Sequence, residues 1–145
     1  MTAIEQLTTE SDYRPYYSVV GPFWPIDSKT EYLEAMERMT ASGYRAFGAS
    51  DGEPVGFAGW YTMFSPWFDR FVWLFDLVVR EDRRGMGIGT ALIDECEEWA
   101  RTEGCATIVL ASATERSEAH RFYEERGFEH TECWFEKSLT PADGG

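Results

Sequence analysis

Apolar and polar positions alternate weakly over residues 2–8, which predicts a short first strand. The tyrosine-rich stretch 11–20 predicts a short helix ending near Gly21-Pro22. Ser28-Lys29-Thr30-Glu31 has the spacing of a capping box, and Tyr32, Ala35, Met36 and Met39 then recur at helical intervals as far as Gly43, which is placed to end the helix. Residues 44–49 and 54–64 read as two strands joined at Asp51-Gly52, with Pro66 limiting the second. Residues 70–79 form a third, strongly apolar strand, expected to be central and covered on both faces. In the helix that follows, Ile88, Ala91, Leu92, Cys96 and Trp99 share one face, and Gly104 stops it. Residues 106–112 predict a further strand. Ser117 is placed to cap a short helix containing Ala119, Phe122 and Tyr123 and closed by Gly127, and one or two last strands are expected within 128–139.

The order is a mostly β half followed by β-α-β-α-β. It predicts one domain over residues 1–145 of the α/β (α+β) class, with a mixed sheet packed between helices. The junction at residues 71–103 is the most informative part. An apolar strand interrupted only by Asp76 runs into a turn holding Gly85, Gly87 and Gly89 beside Arg83 and Arg84, and a helix follows. A helix start presents unpaired backbone N–H groups and the positive end of its dipole. Glycines let a phosphate approach that backbone closely.

Two nucleotide motifs fail here. The phosphate loop of nucleotide hydrolases needs a lysine that this turn lacks. The dinucleotide fingerprint has a different spacing of its third glycine, and the second strand ends near Ala111-Ser112 without a ribose-binding acid. A purely structural glycine turn stays open as an alternative.

The totals narrow the classes. Hydrophobic residues are 43% and aromatic residues 16% of the 145, a globular composition. No apolar run reaches transmembrane length, and the N-terminus lacks a basic region followed by an apolar one, so neither a membrane nor secretion is expected and a cytoplasmic location is. The three cysteines, Cys96, Cys105 and Cys133, fit neither a disulfide framework nor a zinc site, and His120 and His130 add no metal set; no metal is expected. A net charge of −13 argues against a nucleic-acid partner. The acids are spread along the chain. They read as a solvated acidic surface suited to a salt-rich cytoplasm, or as an attraction for cationic substrates.

The motifs carry a resemblance. Arg84-Gly85-Met86-Gly87-Ile88-Gly89 matches the [RQ]-x-x-G-x-[GA] signature of the GCN5-related N-acetyltransferase (GNAT) family. Ala119 to Phe128, with Tyr123 and Gly127, is similar to that family's A-x-x-x-Y-x-x-x-G-F helix and strand. The similarity is firm from about Leu74 to Phe128, within a cofactor-binding core of about 70–128, and loose over 1–70. Many members carry Asn seven residues before the tyrosine, where this chain has Arg116.

The resemblance implies the acyl-CoA N-acyltransferase fold, with a central, mostly antiparallel mixed sheet, and acetyl-CoA as cosubstrate. Arg84, Gly85, Met86, Gly87, Ile88, Gly89 and Thr90 would hold its pyrophosphate, largely through backbone N–H groups. Backbone groups of Leu77, Val78 and Val79 would pair with the pantetheine arm, their side chains being plain core. Tyr123 would stand near the sulfur, where a hydrogen bond to the leaving thiolate is as plausible as full protonation.

Transfer to an amine requires a proton acceptor. Asp76, the sole charge in its apolar strand, is the best candidate, because burial raises a carboxyl pKa. It also reads as a structural aspartate bonded to neighbouring backbone or a tyrosine, and a water chain could replace a single base. Arg80 reads as salt-bridged to Glu81 and Asp82. The acceptor would be an amino group of a small molecule or peptide, attacked directly in a ternary complex; a non-catalytic CoA sensor is the alternative. A homodimer is left open.

Overall fold

The computed structural model describes residues 2–111, 117–129 and 137–139. Residues 130–136, which carry most of the expected last strands together with His130 and Cys133, lie outside the described residues, as does Arg116. Two compact units result, residues 1–110 and 111–145.

In the first unit, β1 (Ala3–Leu7) leads into a helical segment. Its first turn, α1 (Glu10–Tyr13), opens on a capping box: Thr9 accepts from the Asp12 N–H, and the Asp12 carboxylate accepts from the Thr9 N–H. Pro15 lies in a 3-10 turn (Arg14–Tyr16), and α2 (Tyr17–Val20) follows. The expected single helix is therefore three short pieces, since proline has no N–H for a continuous ladder.

Ser28 caps α3 (Lys29–Ala41) by accepting from the Glu31 N–H at 3.1 Å. Glu31 reaches back to the Asp27 N–H, one residue before the cap, so the box is displaced rather than closed. Strands β2 (Arg45–Ser50) and β3 (Pro54–Ser65) flank the Asp51-Gly52 turn as expected, and β4 (Asp69–Val79) returns beside β3. Helix α4 (Ile88–Thr102) then crosses to β5 (Thr107–Leu110), which runs parallel to β4. The sheet order is β1-β2-β3-β4-β5, antiparallel except for the last pair.

Strand alternation sends side chains to two cores. One face buries Phe47, Ala58, Trp60, Val72 and Leu74 against Ile88, Leu92, Cys96 and Ala100 of α4. The other buries Ala46, Phe57 and Tyr44 against Tyr13, Val20, Tyr32 and Met36. Helix α4 approaches closely because β3 carries Gly56; a Cβ there would lie 2.9 Å from Ile88 Cγ2 and 3.0 Å from Leu92 Cδ1.

β4 departs from the expectation of a strand covered on both faces. Phe75 is 53% exposed. The β3–β4 register shifts between Gly59 and Trp60, which pair with Asp76 and Leu74. Phe75 is the extra residue of a β-bulge.

The second unit contains α5 (Ser117–Glu125), which begins at Ser117 itself and ends before Gly127. Among the described residues no helix is long and apolar enough to cross a membrane.

Candidate active site

The parallel β4–β5 ladder stops at Leu74 and Leu110, whereas β4 stays paired to β3 as far as Val79. The Arg80 N–H donates to the Val55 carbonyl at 2.9 Å. Bonded and non-bonded pairs alternate along an antiparallel ladder, so Val78 directs its backbone to β3 while Leu77 and Val79 direct theirs away. In agreement, the Val79 carbonyl accepts from Arg84 Nε at 3.3 Å. Of the three residues expected to meet an extended arm, Leu77 and Val79 therefore present their backbone to the side that β5 has left, and Val78 is engaged with β3. Their side chains pack as core: Leu77 and Val79 toward α4, Val78 toward the opposite face.

The turn beyond β4 is built for a backbone site. Gly85 and Gly87 have φ of 81° and 82°, a region that costs a residue with Cβ about 1–2 kcal/mol. Gly87 is the N-cap of α4 and supplies no side-chain cap, so the N–H groups of Ile88 and Gly89 have no acceptor within the helix. No acid stands in the first turn of α4, although the chain carries 26 acidic residues. Ile88 is buried and anchors the turn, Met86 is exposed, and Thr90 completes the first helical turn.

The arginines divide. Arg80 pairs with Asp82 and Glu53 at 2.7 Å each, so its partner across the sheet is Glu53 rather than Glu81. Arg83 pairs with Asp51 and Glu53. Arg84 makes no ion pair among the described residues and stays exposed beside the turn.

Asp76 is partly buried at the bulge. Its Oδ1 accepts from Trp24 Nε1 at 2.9 Å, and its Oδ2 accepts a short hydrogen bond from the Tyr44 hydroxyl. Burial raises its carboxyl pKa, and the two hydrogen bonds hold the rise in check. Burial, followed by the Asp76 charge, pushes the Tyr44 phenol well above its ordinary range, so Tyr44 remains a donor. Each carboxylate oxygen keeps a second lone pair, which makes the group both oriented and able to accept a proton.

Trp24 and Tyr44 have no motif that announces them. Gly59 is the signal the sequence offers, because a glycine inside a strand marks a bulge or a close approach. A Cβ at Gly59 would collide with the Tyr44 hydroxyl.

In the second unit, Tyr123 packs edge-on against Phe122 and Phe128, with centroids 5.5 and 5.8 Å away. Gly127, at φ 87°, turns the chain so that the Phe128 N–H donates to the Tyr123 carbonyl at 3.1 Å. His120 lies one turn before Tyr123 on α5. Of the described cysteines, Cys96 and Cys105 are buried, and burial pushes the Cys96 thiol up to about 12.

The acetyltransferase (GNAT) family matches residues 5–128. The chain belongs to that family. It is an acetyl-CoA-dependent N-acetyltransferase, with the helix-flanked α/β sheet of that family. It is similar to the uncharacterized N-acetyltransferase YhdJ of Bacillus subtilis, at 28% identity over 96% of this chain and 100% of the relative. The thialysine N-epsilon-acetyltransferase of Sus scrofa is 32% identical over 64% of this chain; the match spans 53% of that enzyme. Among solved structures, aminoglycoside N-acetyltransferase AAC(6')-Iy in complex with CoA superposes with a TM-score of 0.83 over 97% of this chain and 96% of its own, at 22% identity, a likeness of fold.

Proposed function

We propose that this enzyme acetylates an amino group of a small molecule or peptide by direct attack on acetyl-CoA in a ternary complex. The observation that carries the reading is the continuity of two features: the β4 edge at Leu77 and Val79, which no described strand pairs with on the β5 side, and the acid-free, uncapped start of α4 that follows it. The first suits the amides of a pantetheine arm, which can add to the edge as a strand does. The second suits a pyrophosphate, with Arg84 as its cation. The name of the pig relative, an N-epsilon-acetyltransferase, supports an amino nitrogen as acceptor.

In this reading an ammonium loses its proton to Asp76, directly or through water. The neutral nitrogen forms a bond to the thioester carbonyl carbon, the C–S bond breaks, and the thiolate leaves. Proton loss from the new N–H completes the amide. By family resemblance, Tyr123 donates a hydrogen bond to the departing sulfur. Among the described cysteines, the burial of Cys96 and Cys105 and the raised pKa of Cys96 disfavour either as the site of an acetyl-cysteine intermediate.

Calorimetry with CoA, ATP and NAD, followed by thiol release from acetyl-CoA with a panel of amines, tests the proposal. Binding of CoA and amine-dependent thiol release are expected. Binding of CoA without turnover on any amine would favour a sensor, and binding of ATP but not CoA would end the assignment.

A further inference from the structure

Apolar surface beside a site of chemistry calls for an explanation. The bulge that orients Asp76 also turns Phe75 outward, and this ring is 53% exposed. It is held in place rather than loose. The Tyr61 ring meets it edge-on at 5.1 Å, and the Trp73 ring stacks on it at 5.7 Å and 25°. Tyr61 in turn contacts Tyr44 at 5.2 Å, and Tyr44 donates to Asp76. Rings and carboxylate thus form one continuous surface on the face of the sheet opposite α4.

The register identifies what else this face offers. Tyr61 pairs with Trp73 and Met63 with Phe71 across the β3–β4 ladder, and cross-strand partners share a face. These strands carry two charged residues on that face, Asp76 at the bulge and Asp69 at the far end of β4, where it pairs with Ser65 at the hairpin tip. An acceptor lying beside the bulge meets one carboxylate and an aromatic wall, since Asp69 stands at the other end of the strand, roughly 20 Å away. A polyhydroxylated or multiply charged amine would find few partners for its remaining polar groups, and unpaired polar groups oppose binding. A single ammonium on an apolar body would be matched at both ends, by Asp76 and by ring faces.

The location follows from the proposed acetyl-CoA site, on which this inference rests. An arm running from the α4 turn along Val79 and Leu77 brings its thioester end toward the bulge, so Asp76 and Phe75 flank the place where the amine must arrive.

We propose that Phe75 is a specificity-determining residue, and that the acceptor is a primary monoamine carried on an aromatic or aliphatic body. Phenethylamine, hexylamine, ethanolamine and glucosamine serve as probes, each assayed for kcat/KM by thiol release, with acetyl-CoA affinity measured by calorimetry in parallel. Phenethylamine and hexylamine should exceed the two hydroxylated amines by about tenfold or more, the scale of one desolvated ring contact. Phe75→Ala should lower the phenethylamine-to-ethanolamine ratio about tenfold, chiefly through KM, at unchanged acetyl-CoA affinity. Phe75→Leu should keep hexylamine as a substrate while losing the aromatic advantage. A wild-type preference for glucosamine, or an equal loss for all acceptors in Phe75→Ala, would overturn the inference and leave the acetyltransferase reading standing. Failure to bind acetyl-CoA, or absence of thiol release with every amine, would instead strike the underlying reading.

Discussion

The hydroxyl of Tyr44 occupies the space that a side chain on Gly59 would fill. Gly59 pairs with Asp76 across the β3–β4 ladder, and the missing Cβ is what lets the phenol reach the carboxylate. Gly59→Ala should therefore act on two properties at once. The added methyl overpacks a filled site, a change that costs about 1–3 kcal/mol. It also separates Tyr44 from Asp76. Urea unfolding should show the destabilisation, and an unchanged midpoint would mean that the ring has room to withdraw.

Asp76→Asn separates charge from shape. The amide oxygen can still accept from Trp24, whereas the amide N–H can only donate to the Tyr44 oxygen, and the Tyr44 O–H loses the acceptor it has in Asp76. Burial puts the folded pKa of Asp76 above its ordinary 3.8. A group of this kind supports the fold fully below the unfolded value, and that support is lost as pH rises through the folded value. The stability of the wild type relative to Asp76→Asn should fall as pH rises from below 3.8, and urea unfolding across that range checks the slope. Turnover should drop about 10²-fold or more, with loss of the acid limb of the kcat profile. Retention of the wild-type profile would assign Asp76 to structure.

Arg84 and Arg80 should differ sharply. Arg84→Ala is expected to raise the acetyl-CoA Kd about tenfold, roughly 1.4 kcal/mol, which is what one charged hydrogen bond supplies. Arg80 is committed to Glu53 and Asp82, and exposed pairs of this kind add little to stability. Arg80→Ala should leave the Kd within about twofold. Calorimetry of both variants checks the contrast.

Tyr123→Phe should reduce kcat on the order of 10²-fold, the cost of one donor to a developing anion, with little effect on acetyl-CoA affinity. Single-turnover measurements give this directly, and unchanged turnover would remove Tyr123 from the mechanism.

Salt should help this chain. At a net charge of −13 it repels an anionic cosubstrate and itself. Raising ionic strength to 1 M shortens the Debye length to roughly 3 Å. Melting temperature and the acetyl-CoA on-rate should both increase, and a flat response would discard the idea of salt adaptation.

Much of the fold is legible in local patterns. The Ser28 cap, the Asp51-Gly52 turn and the amphipathic face of α4 are set by neighbours in the chain, and each is found where the pattern places it. The boundaries of that face differ in detail: Ile93 and Ala100 are buried, whereas Ala91 and Trp99 are half-covered. The phosphate turn is equally local. Its glycines are needed for positive φ, and the residue types alone express that need.

The surroundings of Asp76 are of another kind. Trp24 lies 52 residues from it and Tyr44 32 residues, and no periodicity joins positions so far apart. The exposure of Phe75 is likewise invisible in an apolar run, because a bulge changes which face a residue occupies without changing its hydrophobicity. The amino-acid sequence by itself determined the elements, the helix start suited to a phosphate and the isolation of one acid in an apolar strand. Only the tertiary structure decided that β5 stops short of Leu77, that a phenol and an indole clasp the acid, and that an aromatic wall stands beside it. Hydrogen-bond register and side-chain packing are set between distant segments, and those become neighbours only when the sheet closes.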